Sequence, residues 1–271
     1  MVQAGAVPHL ITHRWVRNHY RWIVWKLAGY TRTYGGSGQG EEDAAGVMVP
    51  KLSRDTVMRQ LKYRYEREIV QGHQSALKQI LERDELGYRP AVFCVARVAV
   101  VGSGTANEGG GSALLELTDG WYSILAVPDD VLLSAVHRGR IRVGCKLAVS
   151  MAPMINNADG IAAVDATPDW PPVTSQDMTY DPLDPDLSAT APTLKLSCNS
   201  TKLARWDAKL GFMGGRRTLP VSVRSLSPNG SAFSEIGVQV LRVYPLMHME
   251  TFPNGERAYR NDREEAEAQR Q

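Results

Sequence analysis

Apolar and polar positions change period twice along this chain. From Thr12 to Tyr30, the residues Trp15, Val16, His19, Trp22, Ile23, Lys26 and Leu27 recur at three- and four-residue steps, with Arg14, Arg17 and Arg21 between them, which predicts an α-helix. Trp25 lies off that stripe, so this helix carries apolar surface on more than one side and is expected to sit between two neighbours. A second helix starts at Ser53, an N-cap type, with Asp55 in its first turn, and runs through Val57, Leu61, Tyr65 and Ile69. Arg59, Lys62, Arg64, Glu66, Arg67 and Glu68 read as its polar side, and Gly72 as its break or bend. Ser75–Arg83 continues helical with Leu77, Ile80 and Leu81 inward, until Gly87 and Pro90 stop it.

From Ala91 the period drops to two. Val92, Cys94, Ala96, Val98 and Val100 alternate with other residues and predict a first strand, followed by the glycine-rich loop Gly102–Ser112. Leu114–Val127 predicts a hairpin: Leu115 and Leu117 alternate with Glu116 and Thr118, Asp119-Gly120 suits a turn needing positive φ, and Trp121, Tyr122, Ile124 and Val127 resume the extended pattern. Pro128–Val136 reads as a short helix begun by Asp129 or Asp130 and ended by Gly139, and Arg140–Met151 as a fourth strand with Ile141, Val143, Leu147 and Val149 alternating. Ile155–Pro192, rich in Asp, Pro and Ala, reads as a long disordered acidic loop before a fifth strand at Thr193–Asn199. This element order is that of an OB-fold, a partly open Greek-key barrel that presents its second and third strands and two loops to ligands. Ala204–Phe212 is short and amphipathic, Leu219–Ser225 and Glu235–Glu250 begin another β unit, and Asn261 with Glu264 forms a capping-box pattern for a polar helix. A barrel that stops after two or three strands cannot close, so the expectation is a sequence incomplete at its C-terminus.

Composition narrows the classes. The 271 residues are 43% hydrophobic and 22% charged with a net charge of +2, the balance of a soluble globular protein. Between Thr12 and Arg89, fourteen lysines and arginines stand against nine acids, which fits either a solvated face or a surface for an acidic partner. The three cysteines, Cys94, Cys145 and Cys198, are far apart and odd in number, so they read as buried thiols in a reducing, intracellular compartment. No apolar run reaches membrane-spanning length, and the N-terminus lacks a signal-peptide pattern. Gly35 and Gly40 have phosphate-loop spacing, but Glu41 stands where that loop needs a lysine; Gly102-x-Gly104 is followed by Asn107 and leads into a strand. His9 and His13 are the only close histidine pair, and no Ser/His/Asp grouping is evident, so no catalytic residue, metal or cofactor is expected and the chain does not read as an enzyme.

Several longer stretches then carry a resemblance: Asn18–Leu27 (NHYRWIVWKL), Gln60–Ile69 (QLKYRYEREI), Ser75–Asp84 (SALKQILERD), Glu116–Tyr122 (ELTDGWY), Asn199–Phe212 (NSTKLARWDAKLGF) and Arg260–Glu265 (RNDREE). In order and content they resemble the DNA-binding region of the breast cancer type 2 susceptibility family. The resemblance implies an α+β architecture: the end of a helical domain (12–89) packed on a first five-stranded OB-fold (90–212, with the acidic loop 155–192), then an incomplete second OB-fold and the foot of a tower helix (219–271). It implies a nuclear protein of homologous-recombination repair of double-strand breaks. The implied partners are the small acidic deleted-in-split-hand/split-foot protein, single-stranded DNA held weakly, and a RecA-like recombinase only through regions this sequence lacks. A direct single-strand binder and a fragment of a larger recombination mediator are the alternatives. On that reading Arg21, Trp22, Trp25, Lys26, Lys62 and Arg64 are candidates for the acidic partner. An OB-fold stacks bases on aromatics in a basic groove, which makes Trp121, Tyr122, Arg138, Arg140, Arg142 and Lys146 the DNA candidates, with Arg140 and Arg142 on one strand face. Arg205, Trp206 and Lys209 are expected to pack the first barrel on its neighbour, with Trp206 buried.

Overall fold

The computed structural model describes residues 5–34, 52–101, 112–156, 159–166, 191–215, 218–252 and 255–270, with the backbone of Glu41–Glu42 and Met48–Val49. The glycine loops expected at Tyr34–Gly46 and Gly102–Ser112 fall almost wholly outside these residues, as does most of the acidic loop. The chain divides into two compact units, residues 1–236 and 237–271. No helix among the described residues is long and apolar enough to cross a membrane.

The first unit opens with α1 (His13–Tyr34) and α2 (Arg54–Tyr65), the latter capped by the Ser53 hydroxyl, which accepts from the Thr56 amide at 3.2 Å. Trp15, Ile23 and Leu27 of α1 close a core with Val57, Leu61 and Tyr65 of α2. Past Tyr65 the helix widens into a π-helical turn, Glu66–Val70, and Gly72 at φ +66° then ends it. Ser75 caps α3 (Ala76–Leu81), whose Leu77, Ile80 and Leu81 enter the main core.

That core is enclosed by strands. They are β1 (Ala91–Val101), β2 (Ser112–Thr118), β3 (Ser123–Pro128), β4 (Lys146–Val149), β5 (Met154–Ile155), β6 (Thr193–Leu196), β7 (Thr201–Leu203) and β8 (Gly211–Phe212), with α4 (Asp130–His137) between β3 and β4. The ladder runs β5-β6-β3-β2-β1-β4-β7, with β8 beside the start of β1. The β1/β2 and β2/β3 pairs are antiparallel hairpin neighbours (Val95 opposite Leu117, Leu117 opposite Ile124), whereas β3 and β6 are parallel (Leu125 opposite Thr193). The hydrogen-bonded path stays open rather than closing into a barrel; its β6 and β7 regions are consecutive in the chain, joined by Ser197–Ser200. Phe93, Val95, Leu115, Leu117, Ile124, Leu147 and Leu196 fill the interior, sealed at one end by Leu132 and Val136 of α4 and at another by α3. Both faces of β2 are buried, because α1 covers the side on which Glu116 and Thr118 lie.

Three sequence expectations need correction here. The strand expected over Arg140–Met151 shrinks to Lys146–Val149, since Gly139 and Gly144 take φ +68° and +89° and turn the intervening backbone, so Arg140 and Arg142 do not share a strand face. The acidic loop is ordered at its start: Ile161 donates its amide to Leu81, and Ala163 and Ala166 are buried in the main core. Trp206 is 77% exposed, not buried, because Ala204, Ala208, Leu210 and Met213 supply the packing of that turn against Val92, Ala148 and Leu219. Beyond it, β9 (Pro220–Val221) and β10 (Glu235–Ile236) pair in parallel, and Asn199 holds the loop between them, donating to Ser227 and Ser231 carbonyls at 3.0 Å each and accepting from the Ser227 amide at 2.7 Å.

The second unit is a hairpin, β11 (His248–Thr251) with β12 (Arg257–Arg260), and a short helix α5 (Asp262–Ala268). Asn261 and Glu264 form the expected capping box.

Candidate functional site

The TDGWY turn between β2 and β3, Thr118–Tyr122, is driven into the helices. Asp119 organises it: one carboxylate oxygen accepts from the Trp121 and Tyr122 amides at 2.9 and 3.0 Å, and the other accepts from the Leu77 amide in the first turn of α3 at 2.8 Å. Gly120, at φ +87°, lets the chain reverse there. Thr118 closes the turn through Tyr122 and Gly120.

Glu68, on the π-helical turn, is the centre of the joint, its side chain almost fully enclosed. Oε2 accepts from Trp15 Nε1 at 3.0 Å and His19 Nε2 at 2.9 Å; Oε1 accepts from Lys78 Nζ at 2.9 Å and the Tyr122 hydroxyl. Burial on its own raises this carboxyl, but the hydrogen bonds from His19, Lys78 and Tyr122 outweigh it and hold its pKa down at about 2. Arg64, one turn earlier, donates to His19 Nδ1 at 3.0 Å and to the Gly120 carbonyl at 2.7 Å, and lies over the Trp121 ring at 4.9 Å. Since Arg64 has no acceptor to offer, His19 Nδ1 accepts and Nε2 carries the proton: a neutral imidazole, which burial also favours by lowering its pKa. Burial brings Arg64 down to about 10, still charged at neutral pH. Around this centre, Asn18 donates to the Trp121 carbonyl at 2.8 Å, and Arg21 reaches the buried Glu116 at 2.6 Å.

This arrangement redistributes the sequence candidates. Tyr122, proposed as a stacking platform for bases, is enclosed, with its hydroxyl on Glu68. Trp121 is partly buried against Arg64 and His73, so it too is occupied. Trp22 and Arg64, proposed for the acidic partner, are interior: Trp22 donates to Asn18 at 3.1 Å, and Arg64 serves the joint. Arg21 is half-buried over Trp22 and tied to Glu116. Trp25, Lys26 and Lys62 remain on the surface. Lys146 is engaged with the Ala208 carbonyl at 2.6 Å, whereas Arg138, Arg140 and Arg142 are exposed together on one loop. Arg205 pairs with Asp207, and Lys209 is solvent-exposed. The residues the sequence reading missed are His19, Glu68 and Lys78; the one signal was an opposite-charge pair, Arg64 and Glu68, at the helical spacing that puts both on one face.

A second feature lies on the outer side of the helices. Tyr20 and Val24 of α1 and Leu52, Val57, Met58 and Leu61 at and along α2 line an apolar cavity of about 390 Å³. Tyr20, Trp25 and Tyr63 stand exposed on these two helices.

A helical pair clamped onto an OB-type sheet by a buried carboxylate defines a helical–OB tandem. Comparison with known proteins narrows the class. Residues 1–72 match the family described as "BRCA2, helical", and residues 75–214, more than half of the chain, match "BRCA2, oligonucleotide/oligosaccharide-binding, domain 1". The chain is similar to the BREAST CANCER SUSCEPTIBILITY 2 homologs A and B of Arabidopsis thaliana, at 31% and 32% identity over 98% of its own length. It belongs to the BRCA2 family, in its helical and first OB regions. It spans about a fifth of the length of these relatives, 21% of each.

Proposed function

We propose that this chain is a non-enzymatic scaffold of double-strand break repair by homologous recombination, working in the nucleus. It binds the small acidic deleted-in-split-hand/split-foot protein on its helical face and single-stranded DNA, weakly, on its OB-fold. The observation that carries the reading is family membership over a helical–OB pair built as one body, since an interface of this depth holds two binding surfaces in fixed relation. The helical face supports the partner assignment: an apolar cavity and exposed Tyr20 and Trp25 lie on helices that also carry the exposed Lys26 and Lys62, the mixture of aromatic anchor and basic rim common at binding hot spots.

The test is co-expression with the acidic partner followed by size-exclusion chromatography. A one-to-one peak that is lost on Trp25→Ala/Lys62→Glu, with the variant still folded by circular dichroism, is the expected result. A monodisperse chain that elutes alone beside its partner overturns the partner assignment.

A further inference from the structure

The loop between α4 and β4 has a form that its sequence did not suggest. Arg138-Gly139-Arg140-Ile141-Arg142 presents three arginines, all exposed, within five residues. The backbone beneath them is firmly held. Gly139 donates to Val136, and Arg140 and Ile141 both donate to Ala135, at 2.9 to 3.1 Å; Cys145 donates to Arg142 at 3.0 Å, and Gly144 to Val95 on β1 at 2.8 Å. Ile141 is buried in the main core and anchors the middle of the loop, so its two neighbours are turned outward. From Val131 to Val149 the chain contains no Asp, no Glu and no Phe, Tyr or Trp. The nearby Arg97 of β1 faces Glu116 at 3.4 Å. The result is a preorganised set of forked cations, and among the described residues none of the three has a carboxylate or an aromatic ring paired with it.

Resting on the DNA-binding reading above, we propose that this loop is where the OB-fold meets single-stranded nucleic acid, and that it grips the strand by its phosphates alone, without reading or stacking bases. Guanidinium forks match phosphate oxygens in a way a lysine does not, and a rigid loop loses little freedom on binding. The aromatic turn that an OB-fold would otherwise offer is consumed in the helical joint. Binding of this kind is insensitive to sequence and strongly dependent on salt.

The test is fluorescence anisotropy of the whole chain with labelled oligothymidine and oligocytidine across a salt series. The expected result is equal affinity for both and, for Arg138→Gln/Arg140→Gln/Arg142→Gln, a salt slope shallower by about 2, from roughly 0.7 per phosphate contact on a single strand. The matching Lys variant keeps most of the slope, and Lys209→Gln leaves it unchanged. A triple Gln variant with the affinity and slope of the parent overturns the inference while leaving DNA binding intact. A parent chain that binds no oligonucleotide overturns both. A triple Gln variant that keeps oligonucleotide affinity but loses the acidic partner assigns the loop to protein recognition and also overturns it.

Discussion

Replacing Glu68 by Gln preserves shape while removing one acceptor and the charge. Four donors converge on the two carboxylate oxygens, two on each. An amide offers a single oxygen, so whichever way it lies, two donors face an N–H: either Trp15 and His19, or Lys78 and Tyr122. Each buried donor left without a partner costs about 1–3 kcal/mol, and removing one member of a buried ion pair costs about 3–5 kcal/mol. The expectation for Glu68→Gln is therefore a loss of about 3–5 kcal/mol at pH 7, measured by urea denaturation with the slope held common to both chains. The pH dependence follows from the lowered carboxyl. Between about 4.5 unfolded and about 2 folded, the unfolded chain binds more protons, so the Glu68 contribution is complete above 4.5 and is lost as pH falls towards 2. His19 acts in the same direction: its folded pKa lies below 6.5, so acid favours the unfolded chain there too, and more so in the variant, which lacks the Glu68 carboxylate that raises the His19 pKa. The gap between parent and variant should thus hold from pH 8 to about 6.5, not shrink between 6.5 and 4.5, and narrow steeply below 4.5. A gap under about 1 kcal/mol at neutral pH, or one unchanged at pH 3, refutes the reasoning.

Other positions give independent checks. A Cβ at Gly87 would lie 2.3 Å from the Ala152 carbonyl oxygen, a backbone atom that cannot simply swing aside, so Gly87→Ala should lower stability by about 1–3 kcal/mol in thermal melts. At Gly230 a Cβ would meet the Asn199 amide at 2.4 Å, and Gly230→Ala should release the segment around Ser227–Ser231, read as earlier proteolysis there with the main core still protected. Trp206→Ala, on an exposed ring, should change stability by no more than about 0.5 kcal/mol, against the several kcal/mol a buried tryptophan would cost.

Local signals were legible where local physics decides. Ser53 and the Asn261/Glu264 box cap the helices they were expected to cap, and the Asp119-Gly120 turn lies between the two strands read around it. The OB element order could be followed because each strand alternates or carries β-branched residues. What escaped was decided at a distance. Arg64 and Glu68 read as solvent-facing charges because nothing near them in sequence announces a turn some 50 residues later that buries them. Alternation of Ile141 and Val143 imitated a strand, while two glycines at positive φ made it a loop. Trp206 looked like an anchor by type, but Ala204, Ala208, Leu210 and Met213 hold that turn. Glu116 alternated as an outward residue and is buried, because α1 covers that side of β2.

The family descriptions divide the chain between residues 72 and 75, yet the buried carboxylate lies on one side of that line and two of its four donors on the other. Cutting there would leave Glu68 with half its partners, and the Asp119 turn without the helix it caps. The smallest autonomous folding unit is therefore larger than either named region: the two should melt in a single cooperative transition, with damage to one inherited by the other.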